Sequence, residues 1–149
     1  MNKATANPTM QKFGHPGTLI AETGHWAVQL RPEQVTLGSL VLICREPVTG
    51  FGDVSPEGFA ELKPVIARIE RMLRAMVDYR KINYLMLMMV DKDVHFHVIP
   101  RYDGPREHGG HSFPDAGWPG PPRLDQAVTP DPAMTAALVD ALRRQWSES

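Results

Sequence analysis

Apolar positions along this chain follow two rhythms, and the change from one to the other outlines the fold. Residues 18–30, TLIAETGHWAVQL, carry the composition of two short strands broken at Gly24. Residues 32–37 read as a connection, and Gly38 introduces SLVLIC, a run of strand length and strand composition. After a loop over 46–52 the period lengthens. Phe59, Leu62, Ile66, Ile69, Leu73 and Met76 recur at steps of three and four, which draws one stripe along a helix from Ser55 to about Asp78. Ser55 is a natural cap, Pro56 suits the first turn and Glu57 complements the helix dipole there. Pro64 removes one backbone bond inside the helix, so a kink is expected. The strand rhythm then returns in KINYLMLMMV (81–90), the polar triplet DKD, and VHFHVIPRY (94–102), an antiparallel hairpin with a three-residue turn. That turn would set Leu87 and Met89 beside His95 and His97, with Met86, Met88 and Met89 as core packing. Both faces of the first run are apolar, so the hairpin belongs inside the sheet. Residues 103–132, rich in Gly and Pro, read as an irregular tail, and 133–146 as a closing helix. The order strands, helix, strands predicts an α+β domain with an antiparallel sheet. Its expected divisions are a flexible arm (1–17), a core (18–103), and a tail with a C-terminal helix packed on the same domain (104–149).

Composition narrows the function. A chain of 149 residues with 42% hydrophobic and 22% charged positions can bury one core without a disulfide or structural metal. A net charge of −1 gives no global attraction to nucleic acid or an anionic membrane, so any phosphate recognition must come from a few placed groups. The single cysteine, Cys44, has no internal disulfide partner, which suits a reducing compartment. With no charged-then-apolar leader and no membrane-length apolar span, the expected location is cytoplasmic.

Chemistry concentrates in residues 91–97. Side chains alternate along a strand, so Asp93, His95 and His97 share one face while Val94, Phe96 and Val98 share the other. Two imidazoles about 6 to 7 Å apart on a strand form a defined constellation. Three readings are open. The pair can be structural, hydrogen-bonded and idle. It can ligate zinc or iron if His108, His111 or Asp91 completes the set. Or it can serve a phosphate site, in which a neutral imidazole, held through one nitrogen, is a nucleophile through the other. A second histidine then donates to phosphate oxygens or to the leaving group.

VHFHVIPRY resembles the end of the histidine-triad signature, His-φ-His-φ-His-φ-φ with φ apolar. Pro100-Arg101 follow it as Pro-Arg does in the fragile-histidine-triad branch of that family. Upstream, Gly38-Ser39-Leu40-Val41-Leu42 stands where the family has Gly-His-φ-φ-φ. Pro47-Val48 and Phe51 to Glu57 resemble the stretch leading into its long helix. The resemblance covers residues 18–103. It implies an antiparallel sheet with one long helix and a C-terminal helix, and a homodimer whose sheets join. It also implies hydrolysis at the α-phosphate of a dinucleoside polyphosphate or nucleoside phosphoramidate, without a cofactor or metal in the covalent step. His95 takes the place of the nucleophile, and His97 that of the phosphate and leaving-group partner.

Three positions depart from the family pattern. Asp93 replaces the first signature histidine, Ser39 replaces the earlier one, and the short hairpin turn has no Gly-Gln-Ser/Thr stretch. A carboxylate beside His95 can raise that histidine's pKa and repel phosphate, or it can hold the ring in one tautomer. Ser39 can still donate to a phosphate. Lys92 and Arg101 can offset the added negative charge. Arg31, on the loop that borders the ribose in the family, and Asn83, at the start of the hairpin, complete the candidate substrate-binding set of Asp93, Ser39, Arg101, Arg31 and Asn83. Trp26 is read as core, with stacking on a base as the alternative. His108 and His111 are read as exposed, with a lid as the alternative. The expected activity is nucleotide hydrolysis. A catalytically weak nucleotide-sensing or partner-binding module is the rival reading.

Overall fold

The fold is known from a computed structural model that describes residues 6–148. Its central feature is a five-stranded antiparallel sheet in the order β1-β2-β3-β5-β4. The strands are β1 (Leu19–Glu22), β2 (Trp26–Leu30), β3 (Leu40–Cys44), β4 (Lys81–Leu85) and β5 (His95–Arg101). The helices of the described residues are α1 (Pro8–Lys12), α2 (Pro56–Val77) and α3 (Pro132–Glu148), with a 3₁₀ turn at Phe51–Asp53. Among the described residues, no helix is long and apolar enough to cross a membrane.

The long helix forms where its caps direct it. The Ser55 hydroxyl accepts from the Gly58 amide at 2.9 Å, and Pro56 opens the first turn. The helix runs unbroken through Pro64 and ends where Asp78 adopts a left-handed backbone (φ 53°). Its buried side is rotated from the expected stripe. Val65, Ile69, Met72, Leu73 and Val77 face inward, whereas Phe59 is exposed and stacks on Phe51.

Every residue of β2 and β3 is buried, because both faces of the sheet are covered. One face, with Trp26, Val28, Leu30, Leu40, Leu42 and Val98, packs on α2 and on Leu138 and Leu142 of α3. The indole of Trp26 donates to the Gly58 carbonyl at 2.8 Å, which accords with its reading as core. On the opposite face Ala27, Val41 and Ile43 meet Met10 of α1. Residues 1–17, expected as a loose arm, therefore include a short helix seated on the sheet. Asn7 caps it by accepting from the Met10 amide at 2.9 Å. The first five residues of that expected arm lie outside the described residues.

Three further expectations are corrected. The hairpin does not lie wholly inside the sheet: β5 is interior, but β4 is an outer strand that pairs with β5 alone, despite the apolar residues on both its faces. The hairpin does not turn over three residues: β4 ends at Leu85, opposite His97, and residues 86–94 form the connection. Met88 in that connection has φ 53°, a left-handed conformation that ends an extended run. Met86 and Met88 pack against the core as expected, whereas Met89 is 85% exposed and Leu87 is also exposed, so these two line the cavity beside the histidines without packing in the core. The tail is not wholly irregular either. β6 (Arg106–His108) and β7 (His111–Phe113) form a separate small hairpin. Phe113 joins the main core, as do Met134 and Leu138 of α3.

Candidate functional site

β5 brings the two histidines to the sheet face opposite α2 and α3. His95 lies across from Ile43 and His97 from Val41, so the apolar side chains of β3 form the floor beside the rings. Both imidazoles are nearly buried, at 2% and 8% exposure, with ring centroids 5.3 Å apart and planes at 77°.

Their hydrogen bonds are opposite in sense. His95 Nδ1 lies 2.6 Å from the Asp93 carbonyl oxygen. A carbonyl only accepts, so Nδ1 carries a hydrogen, and in the neutral ring the lone pair is on Nε2. His97 Nδ1 lies 3.4 Å from Nε of Arg31. A guanidinium only donates, so Nδ1 is the acceptor and the hydrogen of His97 sits on Nε2. Burial, then the positive charge of Arg31, then His95 itself, depress the His97 pKa to about 4. His97 is thus a neutral donor at physiological pH.

The rings open onto a cavity of about 240 Å³. Lys12, Phe13, Arg31, Glu33 and Asp91 line it, and residues 87–90 of the β4–β5 connection form a second wall. Phe13 packs edge-on to His97 at 5.8 Å between centroids and tilts over His95 at 6.4 Å. Lys12 Nζ is 2.9 Å from Asp91 Oδ2 at the mouth.

The candidates named from sequence separate here. His95, His97 and Arg31 line this cavity together. Asp93 is adjacent in the chain but does not line the cavity, and its carboxylate is engaged by Thr9. Its Oδ2 accepts from the Thr9 amide at 3.2 Å and the Thr9 hydroxyl at 2.8 Å. The tautomer of His95 is set by the backbone of Asp93, not by its side chain. Ser39 is wholly buried and closes a local turn, donating to the Thr36 carbonyl at 2.8 Å and accepting from the Thr36 amide at 3.0 Å.

Arg101 and Asn83 lie at the far end of the β4–β5 pair. There the Arg101 guanidinium grips Asp115 through two bonds of 2.7 and 3.1 Å, with side chains 4% and 1% exposed. It also donates to Asn83 Oδ1 at 2.8 Å and to the Gly120 carbonyl at 2.7 Å. That cluster borders a separate cavity with Lys81 and Trp118. Lys92 is exposed. His108 and His111 face each other across β6 and β7, away from the histidine cavity. Among the described residues, no three His, Cys, Asp or Glu side chains gather as a metal-binding group.

Sequence reading missed Lys12, Phe13 and Thr9, because α1 has only five residues and no visible period. Asn7-Pro8, a cap followed by proline in the first turn, was the legible signal.

No protein-family model matches the sequence, and no curated protein matches it. Solved structures do resemble the fold. A histidine triad protein from Marinobacter aquaeolei VT8 superposes with a TM-score of 0.76 at 17% identity, covering 99% of this chain and 98% of that one. The fold is that of the histidine triad proteins. A second such protein, from Bradyrhizobium japonicum, gives a TM-score of 0.72 at 21% identity over 95% of this chain and 96% of its own. A hypothetical histidine triad nucleotide-binding protein from Sulfolobus tokodaii strain7 gives 0.68 at 18% identity, over 94% and 90%.

Proposed function

We propose that this chain is a nucleotide hydrolase in which His95 attacks the α-phosphate of a dinucleoside polyphosphate or nucleoside phosphoramidate. The complementary tautomers of the two histidines carry the reading: a free lone pair on His95 Nε2 beside an N–H on His97 Nε2. The first, in the neutral ring, is a nucleophile. The second is a donor for a phosphate or leaving-group oxygen that carries no charge of its own. An idle pair needs no such division. The fold supports the same reading, since one of its structural neighbours is described as nucleotide-binding.

In the first step a bond forms from His95 Nε2 to phosphorus. The bond from phosphorus to the leaving oxygen or nitrogen breaks, its electron pair departs with the leaving group, and a departing nitrogen takes up a proton from solvent as it leaves. The new imidazolium keeps its Nδ1–H on the Asp93 carbonyl, which stabilises the added charge. Water then attacks phosphorus, its proton passes to solvent, and Nε2 recovers its lone pair as the nucleotide leaves. Arg31 polarises His97 from behind and contributes positive charge beside the phosphates. Asp93, with its carboxylate already taken by two donors from Thr9, does not confront the phosphate.

The test is incubation of the purified protein with diadenosine tetraphosphate and with adenosine phosphoramidate, with and without chelator, beside His95→Ala. Nucleotide release that resists the chelator and falls at least about a hundredfold in the variant is the expected result. Binding of nucleotide without turnover would leave a nucleotide-binding module, and release abolished by the chelator would point to metal-dependent hydrolysis.

A further inference from the structure

Thr9 ties the N-terminal segment to the histidine strand through Asp93, and the same segment is anchored elsewhere on that sheet face. Asn7 Nδ2 donates to the Cys44 carbonyl at 2.9 Å, and Gln29 Nε2 donates to the Met10 carbonyl at 3.1 Å. These bonds carry two side chains to the mouth of the cavity: Phe13 over both imidazoles, and Lys12 beside Asp91.

We propose that residues 7–13 are a working part of the site, with Lys12 a ligand to the substrate's phosphate chain and Asp93 a positioning residue that holds the segment through Thr9. The inference rests on the phosphate reading of the cavity and extends it to residues outside the signature.

The donors available to an anion support this assignment. Arg31 already spends Nε on His97 and Nη1 on the Glu33 carbonyl at 2.8 Å. His97 contributes one neutral N–H. Lys12 has three donors, and the ammonium, on a half-exposed side chain, has Asp91 as its ion-pair partner. With its side chain half in solvent, the ammonium is held by one carboxylate alone among the described residues, so a multiply charged phosphate chain can draw it away from Asp91. Asp93 fits the complementary role. At the position of the first signature histidine its charge would oppose a phosphate if it faced the cavity. Bonded at Oδ2 by the Thr9 amide and hydroxyl, it instead holds down the segment that delivers the cation.

The experiment is calorimetric titration of the full chain with inorganic tripolyphosphate, which reads the anion site without requiring turnover. Lys12→Ala should weaken binding about tenfold, the size of one charge-assisted bond, and Lys12→Arg should restore it. Asp93→Ala, and the milder Thr9→Val, should weaken binding in the same direction and speed amide exchange at residues 9–13. The double variant Asp93→Ala with Lys12→Ala should bind no more weakly than Lys12→Ala alone, because both act through one contact. Wild-type affinity in Lys12→Ala, or additive losses in the double variant, would overturn this assignment while leaving the phosphate site itself intact. A wild-type protein that does not bind tripolyphosphate would overturn the phosphate reading and this inference with it.

Discussion

His97 shows how one contact can set both the direction of a hydrogen and the charge of a ring. Arg31 occupies its Nδ1, which assigns the hydrogen to Nε2, and the same positive charge, added to burial, opposes a second proton. The consequence for stability has a definite sign. In the unfolded chain this imidazole titrates near its ordinary value of 6.5; in the folded protein it does so at about 4. Between those values the unfolded state binds more protons, so folding weakens as pH falls from 6.5 to 4, and above 6.5 the ring adds no slope. The size of the displacement caps this contribution at about 3 kcal/mol. Urea denaturation of wild type and His97→Asn at pH 7 and pH 4.5 should show a smaller loss of midpoint in the variant. Equal losses would mean that His97 is not the group responsible.

Among the elements, β5 organises the domain by serving two ends. Its first half holds the histidines, and its last residue, Arg101, holds the tail through Asp115 and Gly120. The neighbouring Tyr102 extends the clamp: its hydroxyl accepts from the Leu37 amide and donates to the Phe113 carbonyl, both at 2.8 Å. An ion pair buried this deeply costs little when both partners stay and much when one is removed, since the survivor is left charged without a partner. Asp115→Ala should therefore lose about 3 to 5 kcal/mol of stability by denaturant unfolding. Loss of nucleotide binding with stability unchanged would instead place Arg101 in substrate contact, as its position after the signature first suggested.

At the scale of the whole molecule, β1 and β4 are the outer strands of the sheet, and the β4 edge runs into the exposed Leu87, Met89 and Val90. An unpaired edge beside apolar side chains favours continuation by another strand. Joined sheets in a homodimer are also what the histidine-triad resemblance implies. Sedimentation velocity should therefore report a particle of twice the 16.6 kDa chain mass. A 16.6 kDa monomer at micromolar concentration would overturn the dimer that the resemblance implies.

Much of this architecture was legible because it depends on short-range geometry. A spacing of two sets His95 and His97 on one face of any strand. Ser55-Pro56 can open a helix whatever lies around it, and the apolar run at 40–44 has the length and composition of a strand, whereas the two-faced apolar run at 81–90 did not keep β4 from the sheet edge. What the tertiary structure alone decided are the partners of polar side chains. Thr9 meets Asp93 across 84 positions, Arg31 meets His97 across 66, and Arg101 turns to Asp115 rather than toward the histidine cavity. The β4–β5 connection likewise left the extended pattern of its residues when Met88 took a left-handed backbone. Periodicity specifies which face a side chain occupies. Which group it bonds on that face depends on where the rest of the chain passes, and only the packed fold determines that.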